Sequence, residues 1–179
     1  PRSNAPPPPM RHRIESSSRR GDRTKNLVGF QVGDVRYAVE IFRVREIINP
    51  LPFVVLPHAP KVVLGVADHR GEVVPVIDLR PRFGLPQVPN TRKSRWIIVR
   101  TKAGSVGLAV DAVTDVFGTA TEGQRNVPDL GAGDEARGIQ AVFMHNRQLV
   151  FVIDVDKVAA PAEVVDVGFA QKLLGEGDT

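Results

Sequence analysis

The feature that most constrains this chain is that it repeats itself. At an offset of 71 residues, VGDVRYAVE (residues 32–40) matches AGSVGLAVD (residues 103–111): Gly33, Val35, Ala38 and Val39 meet Gly104, Val106, Ala109 and Val110, and Glu40 meets Asp111. At an offset of 76, LGVADHRGEVVPVIDL (residues 64–79) matches QAVFMHNRQLVFVIDV (residues 140–155): Val66, His69, Val74, Val76, Ile77 and Asp78 meet Val142, His145, Val150, Val152, Ile153 and Asp154. Two ordered matches at nearly equal offsets describe two copies of one unit, each running hairpin, connector, hairpin and then Asp. A unit this small has too few strands for a wide open sheet. Two small barrels in tandem deal better with exposed strand edges.

The texture between these anchors agrees. Runs such as LVGFQVG, VVLGVAD, EVVPVID, RWIIVRT and QLVFVID are of strand length, rich in β-branched residues, and separated by glycine or charged pairs. Gly33-Asp34, Arg70-Gly71, Gly104-Ser105 and Asn146-Arg147 are suited to hairpin turns. Helical periodicity is scarce. Ile41, Val44, Arg45 and Ile48 share a helical face and predict a short helix over residues 41–48, stopped by Asn49-Pro50. Residues 79–83 predict a single turn closed by Gly84, and residues 169–174 a C-terminal helix. The expected fold is mainly β: two small barrels in tandem with short helices, roughly residues 27–90 and 91–160, then a C-terminal extension over 161–179.

Residues 1–26 differ in kind. They hold PPPP, SSS and scattered arginines and offer almost nothing to a core, which predicts a disordered Pro/Arg/Ser-rich tail. This segment carries seven basic and two acidic residues, while the remainder carries 17 basic and 18 acidic. The basic excess belongs to the tail, and the body has no strong bias toward polyanions. A small β-barrel that binds nucleic acid is the rival from another class. Single-strand platforms need exposed aromatics for base stacking. Here there is one Trp and one Tyr, and Phe30, Phe143 and Phe151 fall at inward-looking strand positions. Attachment by the tail alone is non-specific and salt-labile, so no specific nucleic-acid partner is expected. The chain has no cysteine, hence no disulfide framework and no Cys-based zinc site. No apolar run reaches membrane-span length and no apolar signal core is present, so neither membrane insertion nor export is expected.

Nothing in the sequence converges on catalysis. His12, His58, His69 and His145 are the only histidines, and no HExxH-type pair of histidines is among them. There is no P-loop, GxGxxG or GxSxG. No catalytic residue, metal or cofactor is expected. Asp78 and Asp154 end equivalent strands; as a pair they could mimic a carboxylate dyad, but their equivalence favours a cap on whatever follows each. Arg70 sits at a hairpin turn between two apolar strands. It is either an ordinary solvated turn residue or an exposed anion partner with five fixed donors, and the residues alone leave both open. Glu46 has the same two readings on the polar side of residues 41–48.

In order, FQVGDVRYAVEIFRVREII (residues 30–48), LPHAPKVVLGVADHRGEVVPVIDLRPRFG (56–84), WIIVRTKAGSVGLAVDAVTDVF (96–117) and RGIQAVFMHNRQLVFVIDVDKV (137–158) resemble the CheW family. The set is specific: V.EI, a proline loop, LGV…RG.VVPVIDLR, then VD.V.DV. The resemblance implies that residues 27–160 are a CheW-like domain of two SH3-like five-stranded β sub-barrels. It also implies a cytoplasmic, non-catalytic adaptor recruited to membrane-associated receptor arrays. Its partners would be the regulatory domain of a CheA-type histidine kinase and the cytoplasmic tip of a methyl-accepting chemoreceptor. Partner-binding positions carry over as Val44, Glu46 and Ile47 in V.EI, Gly65 and Val66 in LGV, and Arg70 and Gly71 in RG. The family usually reads Asn-Leu-Arg-Gly at the hairpin, whereas this chain reads Asp68-His69-Arg70-Gly71. Opposite charges on Glu46 and Arg70 predict an ion pair that orients the hairpin.

Overall fold

The computed structural model describes residues 25–119, 124–125 and 138–175. The expectations for residues 1–24, His12 included, lie outside the described residues, as does most of the Gly- and Asp-rich stretch after residue 119. In chain order the strands are β1 (Lys25–Val32), β2 (Val35–Glu40), β3 (Val44–Ile48), β4 (Val63–His69), β5 (Glu72–Asp78), β6 (Arg95–Thr101), β7 (Gly104–Val110), β8 (Ala112–Thr119), β9 (Gln124–Arg125), β10 (Ile139–His145) and β11 (Gln148–Ile153). The helices are α1 (Leu79–Arg82), α2 (Val155–Ala159) and α3 (Val167–Gly175). The first strand starts at Lys25, so the expected tail boundary at residue 26 falls just inside β1.

The strands form two sheets, ordered β8-β1-β2-β11-β10-β9 and β3-β6-β7-β5-β4. Position by position the duplication is visible: β8 corresponds to β3, β1 to β6, β2 to β7, β11 to β5 and β10 to β4. Each sheet joins an antiparallel hairpin of one unit to the second hairpin of the other through a parallel pair, β2 with β11 and β7 with β5. Each sheet thus takes strands from both sides of residue 90: the repeated units exchange strands. The chain crosses twice between sheets, once through the 3-10 turn Ile41–Arg43 and once at Asp111. Asp111 ties that second crossing. Its carboxylate accepts two bonds from the Arg80 guanidinium, at 2.9 and 2.8 Å, and one from the Gly33 amide at 2.7 Å.

Exchange explains the continuous apolar runs. The largest core cluster lies between the sheets and under the C-terminal helices, with Phe30, Val39, Val66, Ile77, Ile97, Leu108 and Val158. Each sheet also encloses a smaller cluster: Leu27, Ala38, Phe143 and Val152 in one, Ala67, Val76, Trp96 and Ile98 in the other. Strand alternation then sends Tyr37 and Val39 one way and Ala38 the other, and both faces are dry.

The helix predicted over residues 41–48 is a 3-10 turn followed by a strand. Val44, Ile47 and Ile48 pair with Val99, Ile97 and Trp96 of β6. Three β-branched residues beside a waiting strand edge outweigh an apparent helical spacing. The Gly104-Ser105 turn also shifts: β7 already begins at Gly104, and the chain reverses at Lys102-Ala103. The other hairpin turns fall as read. Asp78 and Asp154 are caps, accepting from the Arg80 amide and from the Asp156 and Lys157 amides. The C-terminal helix forms as α3, two residues longer at its start than read and one at its end.

Candidate functional site

The hairpin β4–β5 turns at Arg70-Gly71, with φ of 54° and 83°. Two consecutive left-handed residues make the mirror-image turn that matches strand twist. The Asp68 carboxylate accepts from the Gly71 amide at 2.8 Å and braces the turn. Across the sheet, the register of β3 on β6 slips between Val44 and Glu46.

Glu46 lies on β3 and divides its two oxygens. Oε1 accepts from Arg70 at 2.8 Å, and Oε2 lies 3.0 Å from His69 Nε2. The side chains grade from interior to solvent: His69 is 11 % exposed, Glu46 31 % and Arg70 76 %. Because β3 and β4 stand at opposite ends of their sheet, this cluster joins one end to the other. A second contact ties β3 to the β5 arm of the same hairpin and to β7. Arg45 donates to Glu72 at 2.8 Å and to the Ser105 hydroxyl, and that arginine holds the Glu72 carboxyl below the usual range.

The other sheet repeats the device. His145 Nε2 lies 2.7 Å from Asp115 Oδ2, and its ring stacks on Phe117 at 3.8 Å between centroids, 7° from parallel. Here β8 is joined to β10 across the sheet's gap. Burial pushes the Asp115 carboxyl up, but bonds from His145 and Thr114 outweigh it and leave it below the usual range. The turn after His145 is again left-handed at two residues, Asn146 and Arg147. The two clasps differ: among the described residues an exposed arginine joins the one at Glu46, and a stacked ring joins the one at Asp115.

The seven residues carried over by resemblance do not share one environment. The structure brings together Glu46, Arg70 and Gly71, with Ile47 exposed next along β3. Val44 packs partly against the main core. Val66 is 0 % exposed and Gly65 is buried, so neither forms part of the folded surface. Gly65 is required by a close approach: an added Cβ would stand 2.4 Å from the Val54 carbonyl oxygen, where the 53–54 segment bridges to Val66. These two positions shape the proline loop. Sequence reading missed the His69–Glu46 and His145–Asp115 contacts. The recurrence of His at equivalent hairpin ends was the available signal.

Gly71 and Glu72 also border an open groove of about 430 Å³, whose far wall is the C-terminal extension at Ala162, Val165 and Val167. Among the described residues no cluster of three or more His, Asp or Glu has a metal-holding arrangement, and no helix is long and apolar enough to cross a membrane.

A family model described as CheW-like domain matches residues 26–163. The chain is 34 % identical to the chemotaxis protein CheW of Rhizobium meliloti (strain 1021) over 134 residues, covering 75 % of this chain and 86 % of that protein. It is 33 % identical to a probable chemotaxis protein CheW of Rhizobium etli over 147 residues, covering 82 % and 94 %. The crystal structure of the scaffolding protein TtCheW from Thermoanaerobacter tengcongensis superposes with a TM-score of 0.70 at 27 % identity, covering 75 % of this chain and 92 % of that one.

Proposed function

The chain belongs to the CheW family, and from that premise we propose that it joins a CheA-type histidine kinase to a chemoreceptor. It binds the kinase through the kinase's CheW-like regulatory domain and the receptor at its cytoplasmic tip, and it performs no chemistry of its own. It acts in the cytoplasm, recruited to membrane-associated receptor arrays.

The observation that carries this reading is the cluster at Glu46, His69 and Arg70. Two motif pieces 24 residues apart in sequence, V.EI and RG, meet there and hold a well-exposed guanidinium in one direction. A fork-shaped donor constrains angle as well as distance, which suits an adaptor whose task is geometry. Exposed Ile47, Ile41 and Phe42 supply apolar area on β3 and the turn before it. Val44, Gly65 and Val66 serve the same surface indirectly, by fixing β3 and the proline loop. Trp96, Phe30, Tyr37 and Phe143 are core residues and offer no stacking platform to the nucleic-acid rival, and the exposed Phe42, Phe53 and Phe169 lie on three separate segments.

Isothermal titration against the regulatory domain of a CheA-type kinase from the same genome tests the proposal. Saturable binding at physiological salt is expected. No binding to that domain, with tight binding to a single-stranded oligonucleotide instead, would overturn it.

A further inference from the structure

One cleft lies apart from the surfaces used above. It is an open cavity of about 560 Å³ between β8 and the loop that enters β6, with four cationic side chains on its walls: Arg36, Arg92, Lys93 and Arg95. One carboxylate, Asp115, shares the lining. That carboxylate is already engaged, by His145 at Oδ2 and by the Thr114 hydroxyl at Oδ1. The body from residue 27 onward is close to neutral, with 17 basic against 18 acidic residues. A local excess of four cations to one committed anion is therefore a concentration of charge, not a sample of the average surface.

The loop is built to hold this arrangement. The Thr91 amide donates to the Ser94 hydroxyl at 2.8 Å, and the Lys93 amide donates to the Thr91 hydroxyl at 3.2 Å. Arg95 uses Nη1 on the Arg92 and Ser94 carbonyls at 2.8 and 2.7 Å, which stiffens the turn and leaves its Nε and Nη2 uncommitted among the described residues. Arg92 and Lys93 are exposed, and their side chains have no hydrogen bond or ion pair among the described residues.

We propose that this cleft binds an Asp/Glu-rich segment of a protein partner. Its walls carry no aromatic ring on which a base could stack, which disfavours a single-stranded nucleic acid. They carry no large exposed apolar side chain to enter a lipid surface. Several cations spread around an open cavity suit a chain of carboxylates better than one small anion. The inference does not rest on kinase–receptor coupling, because none of the four cations belongs to the V.EI or RG pieces.

The test titrates isotopically labelled full-length protein with a polyglutamate peptide at about 0.15 M salt, where exposed charges are screened beyond about 8 Å. Amide shifts are expected at Arg36, Lys93, Arg95 and Thr114, saturating together. The R92E/K93E variant, with its spectrum otherwise native, is expected to bind at least about tenfold more weakly. The wild-type shift map stands by itself should that variant fail to fold. Shifts confined to residues 1–24, or unchanged affinity in R92E/K93E, would overturn the proposal. So would inorganic phosphate reproducing the shifts while the peptide does not. Tighter binding at the same amides by an oligonucleotide or by phosphatidylserine vesicles would assign the cleft to that class instead.

Discussion

Glu46 Oε1 and the Arg70 guanidinium stand 2.8 Å apart, and the arginine reaches that contact from a backbone at φ 54°. A non-glycine residue in the left-handed region costs about 1–2 kcal/mol. An exposed ion pair returns only about 0.2–1 kcal/mol. Stability therefore does not account for an arginine at this turn position. What the pair does fix is the place of a side chain that is 76 % exposed, with His69 at the other carboxylate oxygen.

The first prediction follows from that imbalance. Arg70→Glu and Glu46→Arg should each impair assembly of the receptor–kinase complex while far-UV circular dichroism stays native. The double swap should recover part of the loss. Arg70→Gly should melt no lower than wild type, since it removes turn strain, yet still bind poorly. If both single reversals assemble normally, these residues are plain surface. Harmful singles with no recovery in the swap would mean that each touches a partner directly.

The clasp on the other sheet is more structural, because His145 also stacks on Phe117. His145→Ala removes a charge-assisted bond and a ring contact. We expect a loss of about 1–3 kcal/mol in urea unfolding. His145→Phe keeps the stack alone and should fall between. An unchanged midpoint for His145→Ala would show that the contact does not help close the sheet.

Two aspartates should respond to pH with opposite signs. Burial, with Asp111 nearby, raises the Asp78 carboxyl above its ordinary value of 3.8. A raised group gives its full stabilisation below the unfolded value and loses it as pH rises through the folded value. Asp78→Asn, which keeps the capping oxygen, should therefore raise the melting temperature at neutral pH, and the gain should vanish below about pH 3.8. The Arg43 guanidinium holds Asp156 below its ordinary value of 3.8. Its contribution is present above that value and lost as pH falls through the lower folded one. Asp156→Asn should thus be destabilising at neutral pH, with the difference shrinking in acid. Melting curves from pH 3 to 7 decide both, and parallel curves for wild type and either variant would contradict the assigned cause.

Much of this fold was legible because the repeat and the alternating runs are local statements. Val74, Val76 and Ile77 read as a strand whatever surrounds them, and Asp78 and Asp154 read as caps because they recur. What stayed hidden depends on partners distant in sequence. Residues 41–48 carry a helical spacing, and only the edge of β6 decides that Val44–Ile48 extends. Strand exchange was invisible because β2 suits β5 as well as β11 by pattern; the short crossings at 41–43 and at Asp111 settle it. At the candidate site, the opposite charges of Glu46 and Arg70 were enough to suggest the pair. The burial of Val66 and the crowding at Gly65 come from the 53–54 segment, which no spacing rule foretells.

Exchange makes a further prediction. Residues 25–90 lack β6–β7, and residues 91–179 lack β3–β5, so neither half holds a complete sheet. Each fragment alone should show no cooperative thermal transition. Mixed at equal concentration, they should fold together and regain one. A cooperative transition from either fragment alone would contradict the exchanged topology.

Coupling itself is tested most directly by three-component assembly. Kinase, receptor cytoplasmic tip and this protein are mixed, and sedimentation velocity follows a labelled receptor. The account predicts that kinase and receptor co-sediment only when this protein is present, and that Arg70→Glu abolishes the fast species while free protein stays folded. Co-sedimentation of kinase and receptor to the same extent without this protein, or an unaffected complex with Arg70→Glu, would contradict it.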